Sequence, residues 1–299
     1  MSSLLSVTDL EVDFHTVQGR VEAVRGVSFD LAAGESMAIV GESGSGKSVT
    51  SLALLGLVGE VGEVRGRIVF QGRDLVGVPE AELRDVRGAG VSLVFQDSLD
   101  ALNPVYTVGA QISEILRVRL GWSRQRAREE ALHLMQQVGI PDAHKRIGNY
   151  PHQFSGGMRQ RICIAMAIAL KPKLLVADEP TTALDVTVQA EILRLLRALQ
   201  RESGMSLIFV THDLAVARLI ATRIIVMHGG RVVERGLIDD IFDRPRHPYT
   251  KALLAAHPGR VASWKDLRPI PENLTDEAPV DAPADQLPKG PVEEIAHGI

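Results

Sequence analysis

Apolar and polar residues alternate in two runs near the start of the chain, 4–14 and 21–31, with Gly19 between them and Gly34 closing the second. Period-two alternation bounded by glycine is the mark of half-buried strands joined by a turn, so an antiparallel pair is expected to open the fold. From Ser36 the pattern changes. The unbroken apolar run Met37-Ala38-Ile39-Val40 leads into a glycine-rich turn and then a helix-compatible stretch, which is how a parallel strand-helix unit begins. Strand-like runs at 68–70, 91–95, 174–177, 207–210 and 224–227 alternate with longer segments, and that alternation places the chain in the α/β class.

From Ser98 to Leu170 the periodicity turns helical, clearest over 108–120 and 124–138, with no strand candidate between. This segment reads as a helical subdomain inserted in the α/β chain. The last 34 residues hold six of the 15 prolines and eight acidic side chains, with few aliphatics to pack. Residues 1–255 are therefore expected to form the main domain, and 256–299 a proline- and acid-rich extension that is flexible.

Composition narrows the function. The chain has 299 residues, enough to bury a sizeable core, and is 45% hydrophobic and only 4% aromatic with a net charge of −4. It lacks both the basic footprint and the stacking aromatics of a nucleic-acid binder, so no nucleic-acid partner is expected. The single cysteine, Cys163, makes neither an internal disulfide nor an all-cysteine metal site, which suits a reducing compartment. The longest apolar run, 162–170, is half a membrane span, and the N-terminal stretch has neither a basic n-region nor an apolar h-region. A soluble, unexported protein is expected.

Gly41-Glu42-Ser43-Gly44-Ser45-Gly46-Lys47-Ser48 satisfies G-x-x-x-x-G-K-[ST] after a strand and before a helix. Glycines let successive N–H groups turn towards a phosphate, the helix start adds partial positive charge, Lys47 reaches β and γ oxygens, and the Ser48 hydroxyl suits Mg²⁺. Together with Val49 in the next turn, Gly41, Ser43, Gly44, Ser45, Gly46, Lys47 and Ser48 form the expected nucleoside-triphosphate site. The run 174–177 ends in Asp178-Glu179. Neighbouring residues at a strand end point apart, so Asp178 is placed to bind the Mg²⁺ while Glu179 orients or deprotonates the attacking water. Gln96 and His212 also follow apolar runs. Gln96 is placed to contact Mg²⁺ or the water, and His212 to donate to the γ-phosphate.

Phe154-Ser155-Gly156-Gly157-Met158-Arg159-Gln160-Arg161 supplies a second anion-binding helix start before an apolar helix. Taken in order, phosphate loop, Gln96, Ser155-Gly156-Gly157, Asp178-Glu179, Ala183-Leu184-Asp185 and His212, the chain resembles the ATP-binding-cassette ATPases over residues 4–254, and within them the oligopeptide/dipeptide importer branch. The resemblance implies a P-loop NTPase (RecA-like) core with an N-terminal antiparallel β subdomain and an inserted helical subdomain, using ATP and Mg²⁺. It implies a second ATPase subunit, a copy or a paralogue, whose bound ATP meets Ser155, Gly156 and Gly157. Phe14 would stack on adenine, Asp185 would couple the two sites, and residues 96–106 would engage one of two integral-membrane permease subunits.

The implied activity is ATP hydrolysis on the cytoplasmic face of the cell membrane, powering peptide uptake with an extracytoplasmic solute-binding protein further out. Similar ATPases serve nickel chelates, glutathione, opines and some sugars; a soluble cassette acting on nucleic acid or ribosomes, and a module that binds ATP without hydrolysing it, are the rival classes. Three departures from the usual patterns stand out, the first of them a variant that suits the peptide branch. Phe154 and Met158 replace the usual ends of the Leu-Ser-Gly-Gly-Gln signature, 98–104 differs slightly from the usual run, and the cysteine cluster that follows His247-Pro248-Tyr249-Thr250 in many relatives is missing. No catalytic role is assigned to the His247–Thr250 segment.

Overall fold

The alternating N-terminal runs become β1 (Leu5–Thr16) and β2 (Gly19–Leu31), antiparallel, with Val12 opposite Val24 and Phe14 opposite Val21. The structure, a computed structural model, describes residues 3–17, 19–59, 62–97, 101–182, 184–256 and 280–281. Ser98 to Asp100, Ala183 and all of the extension beyond Ala256 except Val280–Asp281 lie outside the described residues, so the expectation of a flexible tail is not addressed by it. The chain divides into two compact units, one made of the parts up to Pro79 and from Ser206 onwards, the other Glu80–Met205.

In the first unit β1 pairs on its other side with β4 (Gly62–Phe70), which pairs with the short β5 (Arg73–Asp74). The apolar pattern marks only the end of β4, at 68–70. Its first half carries Glu63 and Arg65, and those charges are partnered within the sheet: Arg65 bridges Glu11, Glu63 and Asp13. A charged stretch therefore pairs as a strand without an apolar face. A second sheet in this unit centres on β3 (Ser36–Val40), all five residues buried, between parallel β8 (Ser206–Thr211) and β9 (Arg223–His228). Strands buried on both faces read as continuous apolar runs, which is why this part is legible. After a Gly229-Gly230 turn, β10 (Arg231–Leu237) pairs antiparallel with β9 and parallel with β11 (Val280–Asp281). Helices α1 (Lys47–Leu54), α8 (Leu214–Ile220), α9 (Ile238–Asp243) and α10 (Pro248–Ala255) complete the unit.

In the second unit β6 (Val91–Val94) lies parallel to β7 (Leu174–Asp178), with Val94 opposite Ala177. The helical stretch becomes α3 (Val108–Leu120), α4 (Arg124–Gln137), the short α5 (Ala143–Arg146) and α6 (Gly156–Ile168), with α2 (Glu80–Val86) before them and α7 (Val186–Ser203) after. Thr107 and Ser123 cap α3 and α4 by accepting from Ala110 and Arg126 N–H, and Gly121 closes α3 in the left-handed region. Ile112, Leu116, Ala131, Met135 and Ile164 are fully or almost fully buried; a large aliphatic side chain so buried contributes about 1.5–3 kcal/mol. Cys163 is a core residue on α6, and burial pushes its thiol up to about 12.

Candidate functional site

The turn between β3 and α1 is shaped by glycines that nothing else replaces. Gly41 has φ 155, and a Cβ there would stand 2.2 Å from the Met227 carbonyl oxygen; Gly46 has φ 97, and its Cβ would stand 2.5 Å from the Ala23 oxygen. The loop thus rests directly on backbone, and the Gly230 N–H donates to the Ser45 carbonyl at 3.2 Å. Lys47 is only 4% exposed, its Nζ donating to the carbonyls of Gly41 (2.9 Å) and Glu42 (2.7 Å). Ser43 and Gly44 are exposed, Ser45 buried, and Ser48 and Val49 half-buried in the first turn of α1. No side-chain hydrogen bond caps this helix, and the start of a helix carries the partial positive charge that suits an anion.

His212 and Phe14 belong to the same unit as the loop. Val40 is paired with Thr211 across parallel β3 and β8, so Gly41 and His212 leave the sheet side by side, His212 exposed. Phe14, half-buried on β1, is opposite Gly62, where a Cβ would come 3.1 Å from the ring. Beside it Asp13 is buried under two guanidinium groups, with Arg20 at 2.6 Å and Arg65 closer still. The Arg20 hydrogen bond, seconded by Arg65, holds the Asp13 carboxyl below the usual carboxylate range.

In the second unit β7 runs out into its two acids. Asp178 is buried, and Glu179 is half-buried with φ 44, a left-handed conformation that costs a non-glycine residue about 1–2 kcal/mol. The strain is held from two sides. The Thr182 hydroxyl donates to Glu179 Oε2 at 2.9 Å and its N–H to the Glu179 carbonyl at 3.2 Å, while Gln96 Nε2 donates to the same Oε2 at 3.3 Å. The carboxylate is thereby aimed by two donors from different segments. Ser155 caps α6 by accepting from Met158 N–H, and Asp185 caps α7 by accepting from Val188 N–H at 3.0 Å. Both are exposed, and the two helix starts adjoin: a Cβ on Gly156 would sit 3.7 Å from Leu184, and one on Gly157 only 2.5 Å from Val188.

Comparison with known proteins decides the family. The ABC transporter family profile matches residues 24–182, and the profile described as the oligopeptide/dipeptide transporter C-terminal region matches 233–283. The chain belongs to the ABC transporter family. It is 49% identical to the oligopeptide transport ATP-binding protein OppD of Bacillus subtilis (strain 168), over 94% of this chain and 80% of OppD. It is 51% identical to the dipeptide transport ATP-binding protein DppD of the same organism, over 90% of this chain and 81% of DppD. Among solved structures it resembles the dimeric post-hydrolysis state of the ATP-binding cassette MJ0796 bound to ADP and Pi, with TM-score 0.68, 28% identity and coverage of 78% of this chain and 98% of that one. The cbiO1 subunit of the cbiONQ ABC transporter complex of Clostridium perfringens gives 0.68 at 27% identity, covering 82% and 92%.

The fold is therefore the P-loop NTPase cassette, and this ABC protein is an ATPase. Within each unit the residues named from sequence fall into groups: the phosphate loop with His212 in the first, Gln96 with Glu179 and Ser155 with Leu184 and Asp185 in the second. Thr182 was not among them. A threonine three residues past a carboxylate carries no periodic signal; only the tight turn brings its hydroxyl back. Asp13 was likewise missed, because an acid in an alternating strand reads as solvent-facing.

Proposed function

We propose that this chain is the ATP-hydrolysing subunit of an importer for di- and oligopeptides, working at the cytoplasmic face of a membrane beneath two permease subunits and paired with a second ATPase subunit. Its identity of about half to OppD and DppD, together with the C-terminal profile match, supports the peptide class. No described helix is long and apolar enough to cross a membrane, so the permeases are separate from the described part of the chain.

In this reading Gly41, Ser43, Gly44, Ser45, Gly46, Lys47, Ser48 and Val49 hold the ATP phosphates and Phe14 stacks on adenine. The donors proposed for Mg²⁺, the Ser48 hydroxyl, the Asp178 carboxylate and the Gln96 amide oxygen, are of the hard oxygen type that this ion takes. Among the described residues no cluster of three or more His, Cys, Asp or Glu could hold an ion alone, and Mg²⁺ taken up with phosphates and water asks for no such cage. When bound, the ion neutralises charge on the phosphates. Glu179 accepts the proton of the attacking water, which contributes about 10²–10⁴-fold, and His212 donates to the γ-phosphate. The Ser155-Gly156-Gly157 helix start closes on the ATP of the second subunit, with Asp185 at the same interface. ATP shifts the pair towards closure by binding both subunits, and its hydrolysis releases them.

The observation that carries the transport reading is a groove of about 510 Å³ within the second unit, where the apolar Leu93, Phe95, Ile115, Val118 and Leu170 line it beside the charged Arg87, Glu114 and Arg119. Phe95 is 47% and Val118 73% exposed, an apolar surface that suits a short helix of a permease. The test is affinity purification of the tagged chain from its native membrane in mild detergent, with mass spectrometry of what accompanies it. Two hydrophobic permeases are the expected companions; soluble nucleic-acid or ribosomal partners alone would overturn the transport reading.

A further inference from the structure

The segment His247-Pro248-Tyr249-Thr250, which hydrolysis leaves without a role, is joined by hydrogen bonds to the phosphate loop. The path starts at Glu234 on β10, a carboxylate only 1% exposed. Its Oε1 accepts from the Arg246 N–H at 2.8 Å and its Oε2 from the His247 N–H at 3.1 Å, so the start of α10 is tied to the strand by both oxygens. His247 then caps the helix, Nδ1 accepting from the Tyr249 N–H at 3.2 Å. That fixes Tyr249, whose ring packs against His228 with centroids 4.0 Å apart. The ring is fully buried, which pushes the phenol up to about 12.

Its hydroxyl ends on the loop, accepting from the Glu42 N–H at 3.3 Å and standing 3.5 Å from Glu42 Oε2. Glu42 is the second residue of the phosphate loop, and its carbonyl accepts from Lys47 Nζ at 2.7 Å and the Ser45 N–H at 3.2 Å. One face of this residue is thus held by Tyr249, the other by the lysine that serves the nucleotide. An otherwise exposed residue keeps its peptide in a set orientation because a buried side chain from 207 positions away grips it.

We propose that Tyr249 is a positioning residue for nucleotide binding, through which the C-terminal helix α10 sets the shape of the phosphate loop. The inference rests on that loop being the ATP site. Coupling of this kind is reciprocal: if α10 raises nucleotide affinity, nucleotide stabilises α10 by the same factor.

Two measurements on the full-length chain test it. Tyr249→Phe keeps the ring on His228 and removes only the hydroxyl. It is expected to weaken Mg·ADP binding, measured by isothermal titration, about three- to tenfold, the factor that losing one hydrogen bond carries. The KM for ATP should rise by the same factor while kcat moves less than twofold. Affinity equal to wild type would overturn the proposal and leave Tyr249 as a packing residue. Hydrogen exchange on the unsubstituted chain does not depend on the variant folding: Mg·ADP is expected to slow exchange of the α10 amides, and unchanged α10 exchange at saturating nucleotide would overturn the coupling. Failure of the unsubstituted chain to bind Mg·ADP at all would instead sink the nucleotide site itself.

Discussion

The phosphate loop and the Ser155 helix start offer the same chemistry, backbone N–H groups at the head of a helix, and are built in opposite ways. In the first unit the loop is braced by its surroundings: Gly41 and Gly46 rest on the Met227 and Ala23 carbonyls, Lys47 is buried, and no side chain caps α1. In the second unit Ser155 is an ordinary extended N-cap at φ −66 and ψ 164, exposed, followed by a helix whose glycines meet side chains. A braced and uncapped start is preorganised for a ligand that this subunit holds by itself. An exposed and self-capped start is stable alone and presents itself to something arriving from outside. Binding should therefore reside in the first unit, and turnover, with Glu179, Gln96 and Ser155, in the second.

The sharpest attempt to break that division is Glu179→Gln. Gln is nearly isosteric, can still accept from Thr182 and leaves the phosphate loop untouched, but it takes no proton. Turnover should fall about 10²- to 10⁴-fold, while ATP affinity stays within twofold and the ATP-bound dimer accumulates. Steady-state hydrolysis beside size-exclusion in ATP reads all three, and normal turnover would show that another group activates the water.

Glycine substitutions sharpen the contrast at the next level of size. Gly46→Ala meets a carbonyl oxygen at 2.5 Å and must hold φ 97 with a side chain. Left-handed strain of about 1–2 kcal/mol adds to a backbone shift, so a total loss near 2–4 kcal/mol is expected, with nucleotide binding lost as the loop moves. Gly157→Ala meets a Val188 methyl at the same 2.5 Å, in a normal helical conformation. A side chain can turn away, and alanine is favoured over glycine in a helix by about 0.8–1 kcal/mol, so the net loss should stay under about 1 kcal/mol. Urea unfolding of the two variants side by side measures the gap; equal losses would mean that the loop is no more braced than the signature helix.

How far each region could be read from sequence follows the same line. The strand Ser36–Val40, the loop after it and the acids after β7 were legible because their signals are local: an apolar run, a fixed spacing, a turn. The pairing of Gln96 with Glu179 was half legible, since both follow strands, but only the parallel register of β6 and β7 makes them neighbours. The bond from Tyr249 to Glu42 joins residues 207 apart and has no local trace. The first half of β4 was lost for a related reason, because two of the three acids that Arg65 bridges, Glu11 and Asp13, lie across the sheet on β1.

The smallest expected effect tests the second helix start most directly. Ser155→Ala removes one capping bond, and that bond is long, 3.4 Å from Met158 N–H, on an exposed residue. Capping serines contribute about 0.5–2 kcal/mol, and exposure puts this one at the lower end. A loss near 0.5 kcal/mol lowers the melting temperature of a protein this size by roughly 1–2 °C. If the hydroxyl matters only to its own helix, that shift is the whole effect. If it meets the nucleotide of a second subunit, hydrolysis by the assembled pair falls tenfold or more while the lone chain binds ATP within twofold of wild type. Weakened binding by the lone chain would instead mean that Ser155 serves its own nucleotide, and the division between a braced binding end and an outward-facing turnover end would fail at that residue.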